Sequence, residues 1–114
     1  MPEKTYLPFN LSEISDPGSR SFLINDTASE LAGFVVRKGQ QLFAYRNQCP
    51  HTGVTLNWAE DVFLDVHDSQ IQCATHGALF TIEEGLCTWG PCVGESLQRL
   101  VIKIDNGGKI FIEI

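Results

Sequence analysis

The sequence has little positive charge, no long apolar run and no sustained helical periodicity. It has 8 lysines and arginines against 14 aspartates and glutamates, a formal net charge of −6, and this balance would repel a phosphate backbone. No segment approaches the roughly 20 apolar residues that span a membrane. The N-terminus also lacks the basic stretch and apolar run of a secretory signal. We therefore expect no nucleic-acid partner, no membrane insertion and a cytoplasmic location.

What remains is the composition of a globular protein. The 114 residues are 43% hydrophobic and 19% charged, which supplies one core, while the chain is too short for two. We predict a single domain over residues 1–114 and expect a monomer.

Apolar residues recur mainly with period two, in short runs broken by Gly, Pro, Asn and Asp, and this pattern predicts an all-β fold. The predicted strands are 21–25, 31–37, 41–46, 70–73, 79–82, 97–104 and 109–114. Tight turns are expected at 38–40 and 105–108, where the residues tolerate positive φ. An entry loop is expected at 11–19, with a short helical turn at 11–14.

Two short segments combine cysteine with histidine: Cys49-Pro50-His51-Thr52-Gly53 and Cys73-Ala74-Thr75-His76-Gly77. Thiolate and imidazole bind late first-row metals best, and each segment supplies one of each. Both segments follow predicted strand ends, so each can form a rigid finger on a β scaffold. Their glycines would let the backbone turn sharply beside a metal. The candidate metal ligands are therefore Cys49, His51, Cys73 and His76.

Other chemistries are open to the same residues. A Cys₂His₂ shell is common for structural zinc, but its usual spacing pairs cysteine with cysteine and histidine with histidine, whereas each segment here mixes them. A catalytic pair of Cys73 and His76 would need a third, orienting group and a substrate cleft. Zinc remains the main alternative from the residues alone.

The pattern C-x-H in one loop and C-x-x-H in a second resembles the Rieske family, and Cys49-Pro50-His51 and Cys73-Ala74-Thr75-His76 match it. Phe80 after the second box and Gly90-Pro91, similar to the proline loop that covers the cluster, extend the resemblance. It implies an antiparallel Rieske-like β-sandwich with a small cluster-binding subdomain. It also implies one [2Fe–2S] cluster per chain, with the two cysteines on one iron and the two histidines on the other.

The resemblance also implies a function. Rieske ferredoxins carry electrons from a flavin reductase to a terminal oxygenase, so we expect a one-electron carrier with redox proteins as partners, not an enzyme. An oxygenase would need a second iron bound by two histidines and a carboxylate, and after His51 and His76 only His67 remains. The alternatives are a non-redox accessory module of an oxidoreductase complex, as in Rieske-fold small subunits of some nitrite reductases, and a structural zinc domain.

Several reactive residues lie outside the two boxes. His67 occupies a polar turn, and Glu83-Glu84 occupies a turn tip, so we expect all of them at the surface. Cys87 and Cys92 are expected to be reduced, packed thiols and not ligands; a mutual disulfide or a redox role is the alternative.

The residues after the second box bear on the reduction potential. In high-potential Rieske proteins this box continues with a serine and a tyrosine that donate hydrogen bonds toward the cluster sulfurs. This chain has Ala78 and Phe80 instead, which cannot donate through their side chains. We therefore expect a low potential for a Rieske protein.

Overall fold

The computed structural model describes residues 4–25, 30–50, 55–57, 61–65, 67–74 and 77–113. These residues form nine strands and one short 3-10 helix at Leu11–Glu13. The strands are β1 (Lys4–Asn10), β2 (Gly18–Asn25), β3 (Glu30–Lys38), β4 (Gln41–Arg46), β5 (Ile71–Gln72), β6 (Leu79–Phe80), β7 (Cys87–Trp89), β8 (Arg99–Ile104) and β9 (Lys109–Glu113). Within this part of the chain, no helix is long and apolar enough to cross a membrane.

The strands form two antiparallel sheets of different size. The larger has six strands in the order β1-β9-β8-β4-β3-β2, and the smaller has three in the order β5-β6-β7. Every strand pair is antiparallel. The all-β prediction is confirmed, and the small sheet corresponds to the expected subdomain.

Each predicted strand has an observed counterpart, and both predicted turns are present. Gly39 in the first turn has φ +66°, and Asp105 Oδ1 closes the second by accepting hydrogen bonds at 3.0 Å from the N–H groups of Gly107 and Lys109. The expected helical turn is the 3-10 helix. Ile114, the end of the last predicted strand, lies outside the described residues.

Two strands escaped prediction. In β1, Leu7 and Phe9 alternate into the core at 7% and 5% exposure, but Pro8 between them lacks an N–H group and cannot donate to a ladder. The pairing of β1 with β9 shifts register between Tyr6 and Asn10, which accommodates the proline. The other missed strand, β7, has three residues, too few to show alternation.

The central strands β3 and β4 are buried on both faces. Two cores result, which we call the site-side core and the far core. The site-side core contains Phe34, Val36, Phe43, Tyr45, Cys49, Leu56, Phe63, Ile71, Cys73, Ala78, Phe80, Ile82, Cys87, Cys92 and Leu97. The far core contains Leu7, Phe9, Ile14, Phe22, Val35, Ala44, Ile110 and Ile112. Because successive strand residues point to opposite faces, β3 and β4 contribute to both.

Tyr45 joins the large sheet to the residues after β6. Its hydroxyl is fully buried and donates a hydrogen bond to the Ile82 carbonyl. Burial raises the pKa of Tyr45 to about 12, so the hydroxyl keeps its proton over the working range of pH. A Cβ on Gly85 would lie 2.7 Å from the Tyr45 ring, which shows how closely the turn packs on this side chain.

Candidate metal centre

The first box begins just beyond β4, where Asn47 closes the loop that contains it. The Asn47 N–H donates to the Ala32 carbonyl at 2.9 Å, which anchors this residue to β3. Its side-chain Oδ1 accepts from the Leu56 N–H at 2.8 Å, and its Nδ2 donates to Asn57 Oδ1 at 2.9 Å. These bonds join the two ends of the loop that runs through Cys49.

The second box forms a tight turn between β5 and β6. The Cys73 N–H donates to the Ala78 carbonyl at 2.8 Å, and the Gly77 N–H donates to the Cys73 carbonyl at 2.9 Å. Gly77 has φ +68°, a conformation that side chains other than glycine disfavour. The sharp turn expected at this glycine is confirmed.

Leu56 connects the two boxes through its backbone. Its N–H is bound by Asn47 in the first loop, and its carbonyl accepts from the Ala74 N–H of the second box at 2.8 Å. The Leu56 side chain is fully buried, so water cannot replace either bond without opening the core. The relative position of the two loops is thereby fixed.

Residues 61–65, between the boxes, are attached to the scaffold by a ring contact and by hydrogen bonds. Phe63 stacks on Phe34 of β3 with ring centroids 4.2 Å apart and planes 8° from parallel. Asp61 Oδ1 accepts from both the N–H and the hydroxyl of Ser21 in β2, at 2.7 and 2.8 Å. The Phe63 carbonyl in turn accepts from the Gln72 N–H at 2.9 Å, which aligns the segment with β5.

The two box cysteines meet the requirement for a thiolate-bound metal group. Cys49 and Cys73 are 3% and 0% exposed, lie in the same core and form no disulfide. Fe–S clusters are held by cysteine thiolates in such protected settings. His51 and His76 lie outside the described residues, as do Thr52, Gly53 and Thr75. Within the described residues, no three or more His, Cys, Asp or Glu side chains gather as a metal site.

The loop that begins at Gly90 packs against Ala78, the residue directly after the second box. Gly90 has φ +109°, and a Cβ built there would lie 2.9 Å from Ala78 Cα. Nearby, the exposed Trp89 ring comes within 3.7 Å of a Cβ built on Gly77. The end of the second box, at Gly77 and Ala78, thus lies against β7 and the loop that follows it.

The reactive residues outside the boxes lie where they were expected. His67, Glu83 and Glu84 are exposed, and the hydrogen bond from Lys38 Nζ at 2.6 Å holds the pKa of Glu83 below its usual value. Cys87 and Cys92 are buried thiols. Burial, followed by the adjacent Cys87 thiol, raises the pKa of Cys92 to about 12.

The sequence analysis did not predict that Asn47 and Leu56 join the loops of the two boxes. An asparagine directly after a strand is a turn signal, and this is the only hint that Asn47 gives. Leu56 gives none, because its contribution is a backbone contact between distant segments.

Comparison with known proteins identifies the class. The sequence profile of the Rieske [2Fe–2S] domain matches residues 10–105, and the chain belongs to this family. A Rieske domain implies a [2Fe–2S] cluster. The resemblance noted from the two boxes is therefore confirmed. No match is found among curated proteins.

Solved structures share the fold at low identity. A chain of the complex of reduced oxygenase and oxidized ferredoxin in carbazole 1,9a-dioxygenase superposes with a TM-score of 0.73 and 19% identity, over 96% of this chain and 92% of that one. A Sphingomonas yanoikuyae B1 ferredoxin gives 0.71 and 20%, over 98% and 99%. A putative NADH-dependent nitrite reductase small subunit from Mycobacterium tuberculosis gives 0.68 and 17%, over 100% and 96%.

The contact between Gly90 and Ala78 can be tested with two alanine substitutions. Gly90 and Gly94 both have positive φ, at +109° and +95°, but a Cβ on Gly94 meets nothing within 4 Å. Each substitution should cost about 1–3 kcal/mol in backbone strain. Gly90→Ala should cost a further ~1–3 kcal/mol because its methyl group overpacks Ala78. Thermal unfolding followed by the visible spectrum measures the difference; equal losses of stability would mean that the loop does not press on the second box.

Proposed function

We propose that this chain is a one-electron carrier that holds one [2Fe–2S] cluster through Cys49, His51, Cys73 and His76. One observation carries the proposal: the two box cysteines are buried in a single core, on loops whose backbones are joined through Leu56. Membership of the Rieske family supports it. When bound, the cluster supplies a site that accepts and releases one electron.

The chain's own residues would prepare this site in two ways. Cys49 and Cys73 would act as thiolates on one iron, with His51 and His76 on the other. The side chains around the two cysteines, Leu56 and Phe80 among them, are fully buried and limit the access of water to the sulfurs. Since hydrogen bonding and solvent access tune the potential of an Fe–S site, the surrounding core matters as much as the ligands.

Replacing any one of the four proposed ligands by alanine should remove the cluster and destabilise the site-side core, because an open position exposes iron and releases a loop. Wild-type protein should contain two iron and two sulfide per chain, measured by metal analysis, acid-labile sulfide and EPR of the reduced state. The control is the double variant Cys87→Ser, Cys92→Ser, which should keep its visible and EPR spectra. Stoichiometric zinc in the wild type would contradict the proposal, and a folded protein without metal would favour the non-redox accessory role.

The potential should lie near the low end of the Rieske range of about −150 to +300 mV. Ala78 is 1% exposed, lies in the same core as Cys49 and Cys73, and its carbonyl is bound by the Cys73 N–H, so a hydroxyl introduced here would be buried beside the box. Ala78→Ser should raise the midpoint by about 40 mV if the new bond is worth ~1 kcal/mol in the reduced state.

Protein-film voltammetry at pH 7 measures this shift, and Phe80→Tyr provides a second donor to be tested with it. The control is Ala74→Ser, in the same loop but exposed, which should leave the midpoint unchanged. A wild-type midpoint above about +100 mV, in the upper half of the range, would refute the low-potential prediction.

Partners would bind over β7 and the loop after it. Trp89 and Val93 are 60% and 63% exposed there, and exposed apolar side chains beside a redox site favour a docking face. With a net charge of −6, the chain would be steered to a basic surface. The proposed acceptor is a terminal oxygenase, because a chain of an oxygenase–ferredoxin complex shares this fold. The proposed donor is a flavin reductase, as the resemblance to Rieske ferredoxins implies. We place the carrier in the cytoplasm, where reducing conditions would keep the proposed ligands Cys49 and Cys73 available as thiolates.

Trp89→Ala should weaken docking about tenfold, the equivalent of ~1.4 kcal/mol, while the visible spectrum stays the same. The measurement is the concentration of this protein that half-saturates turnover in a reconstituted mixture with a flavin reductase and a terminal oxygenase. Tyr6→Ala is the control, because Tyr6 is an aromatic of similar exposure, 52%, on the large sheet. Equal effects of the two variants would place docking elsewhere.

A further inference from the structure

Cys87 and Cys92 form a close pair that the proposed electron carrier does not use. Their sulfur atoms lie 2.6 Å apart, and the side chains are 2% and 1% exposed. The two sulfur atoms therefore lie within bridging range of an S–S bond, which is about 2.05 Å long.

The backbone holds the two cysteines side by side. The Cys87 N–H donates to the Glu95 carbonyl at 2.9 Å, and the Glu95 N–H donates to the Cys92 carbonyl at 2.8 Å. The chain after Cys92 therefore folds back along β7 and returns to Cys87. A thiol pair positioned in this way is a preformed site for oxidation.

We propose that Cys87 and Cys92 form a reversible thiol-oxidation site, which closes to an intramolecular disulfide by exchange with a low-molecular-weight disulfide. In the first step one protein sulfur bonds to a sulfur of the reagent, the S–S bond of the reagent breaks and one small thiol leaves. In the second step the other protein sulfur displaces the second small thiol. The two protein thiols lose two electrons and two protons, and the two released thiols carry them.

The fold offers a route for the reagent. Pro91 and Val93, on either side of Cys92, are exposed, and the turn that carries them is closed by a long hydrogen bond of 3.4 Å from the Val93 N–H to the Gly90 carbonyl. Opening of this turn would bring Cys92 to the solvent before Cys87. The thiol that this opening exposes and ionises would carry out the first exchange, and the other thiol would carry out the closing step.

The sequence allows the pair to be followed separately from the box cysteines. Cleavage after glutamate releases the fragment 85–95, which contains Cys87 and Cys92 and no other cysteine. Holoprotein is incubated without oxygen with oxidised glutathione, then denatured, alkylated with iodoacetamide, cleaved and weighed by mass spectrometry. The fragment should carry no alkyl group and be two hydrogens lighter. Dithiothreitol before alkylation should restore two alkyl groups.

Cys92→Ser is the matched variant, because it keeps Cys87 and removes its partner. Its fragment should carry glutathione or one alkyl group and should never lose two hydrogens. Two alkyl groups on the wild-type fragment after treatment, or glutathione that stays on one cysteine, would overturn the proposal. The visible spectrum of the treated protein confirms that the cluster is retained, so the result does not depend on loss of the metal.

Discussion

The double burial of β3 and β4 is the constraint on which the rest of the structure depends. Phe34 and Val36 point toward the site while Val35, between them, points to the far core, and all three are fully buried. Burying a side chain of this kind contributes about 1.5–3 kcal/mol, so the two strands are held from both sides. The loops of the boxes rest on a surface that cannot shift without breaking both cores.

The site is built on this surface by backbone contacts as much as by side chains. Asn47 accepts a hydrogen bond from the Leu56 N–H and so closes the first loop, and the Leu56 carbonyl accepts from the second box. The ring of Phe63 stacks on β3 and holds the segment between the boxes. Each contact joins residues far apart in sequence or in different elements. Precise placement of two thiols therefore comes from the fold, while the box residues supply the chemistry.

The sequence predicted the two cysteine–histidine boxes, but it did not predict the contacts that hold their loops in position. The two boxes were identified from residue type and spacing, and the turn at Gly77 followed from the conformational freedom of glycine. The roles of Asn47 and Leu56 could not be predicted, because a hydrogen bond between two loops leaves no periodic signal. The strand β1 was missed because Pro8 interrupts a pattern that Leu7 and Phe9 otherwise show, and its partner β9 lies about a hundred residues away.

The spacing of Cys87 and Cys92 did not decide whether their sulfurs are in contact, because four intervening residues are compatible with a disulfide or with two separate thiols. The backbone hydrogen bonds of Glu95 to Cys87 and Cys92 bring the two sulfur atoms together. His51 and His76 fall outside the described residues, so their assignment as ligands stays a prediction.

All four cysteines belong to the site-side core, and the far core has none. This division separates packing that needs no metal from packing around the proposed ligands. The far core is built from aliphatic and aromatic side chains alone and draws on β1, β2, β3, β4 and β9, so it needs the last strand in place but no metal. A chain that has not received its metal group would therefore keep β3 and β4 packed from the side of the far core.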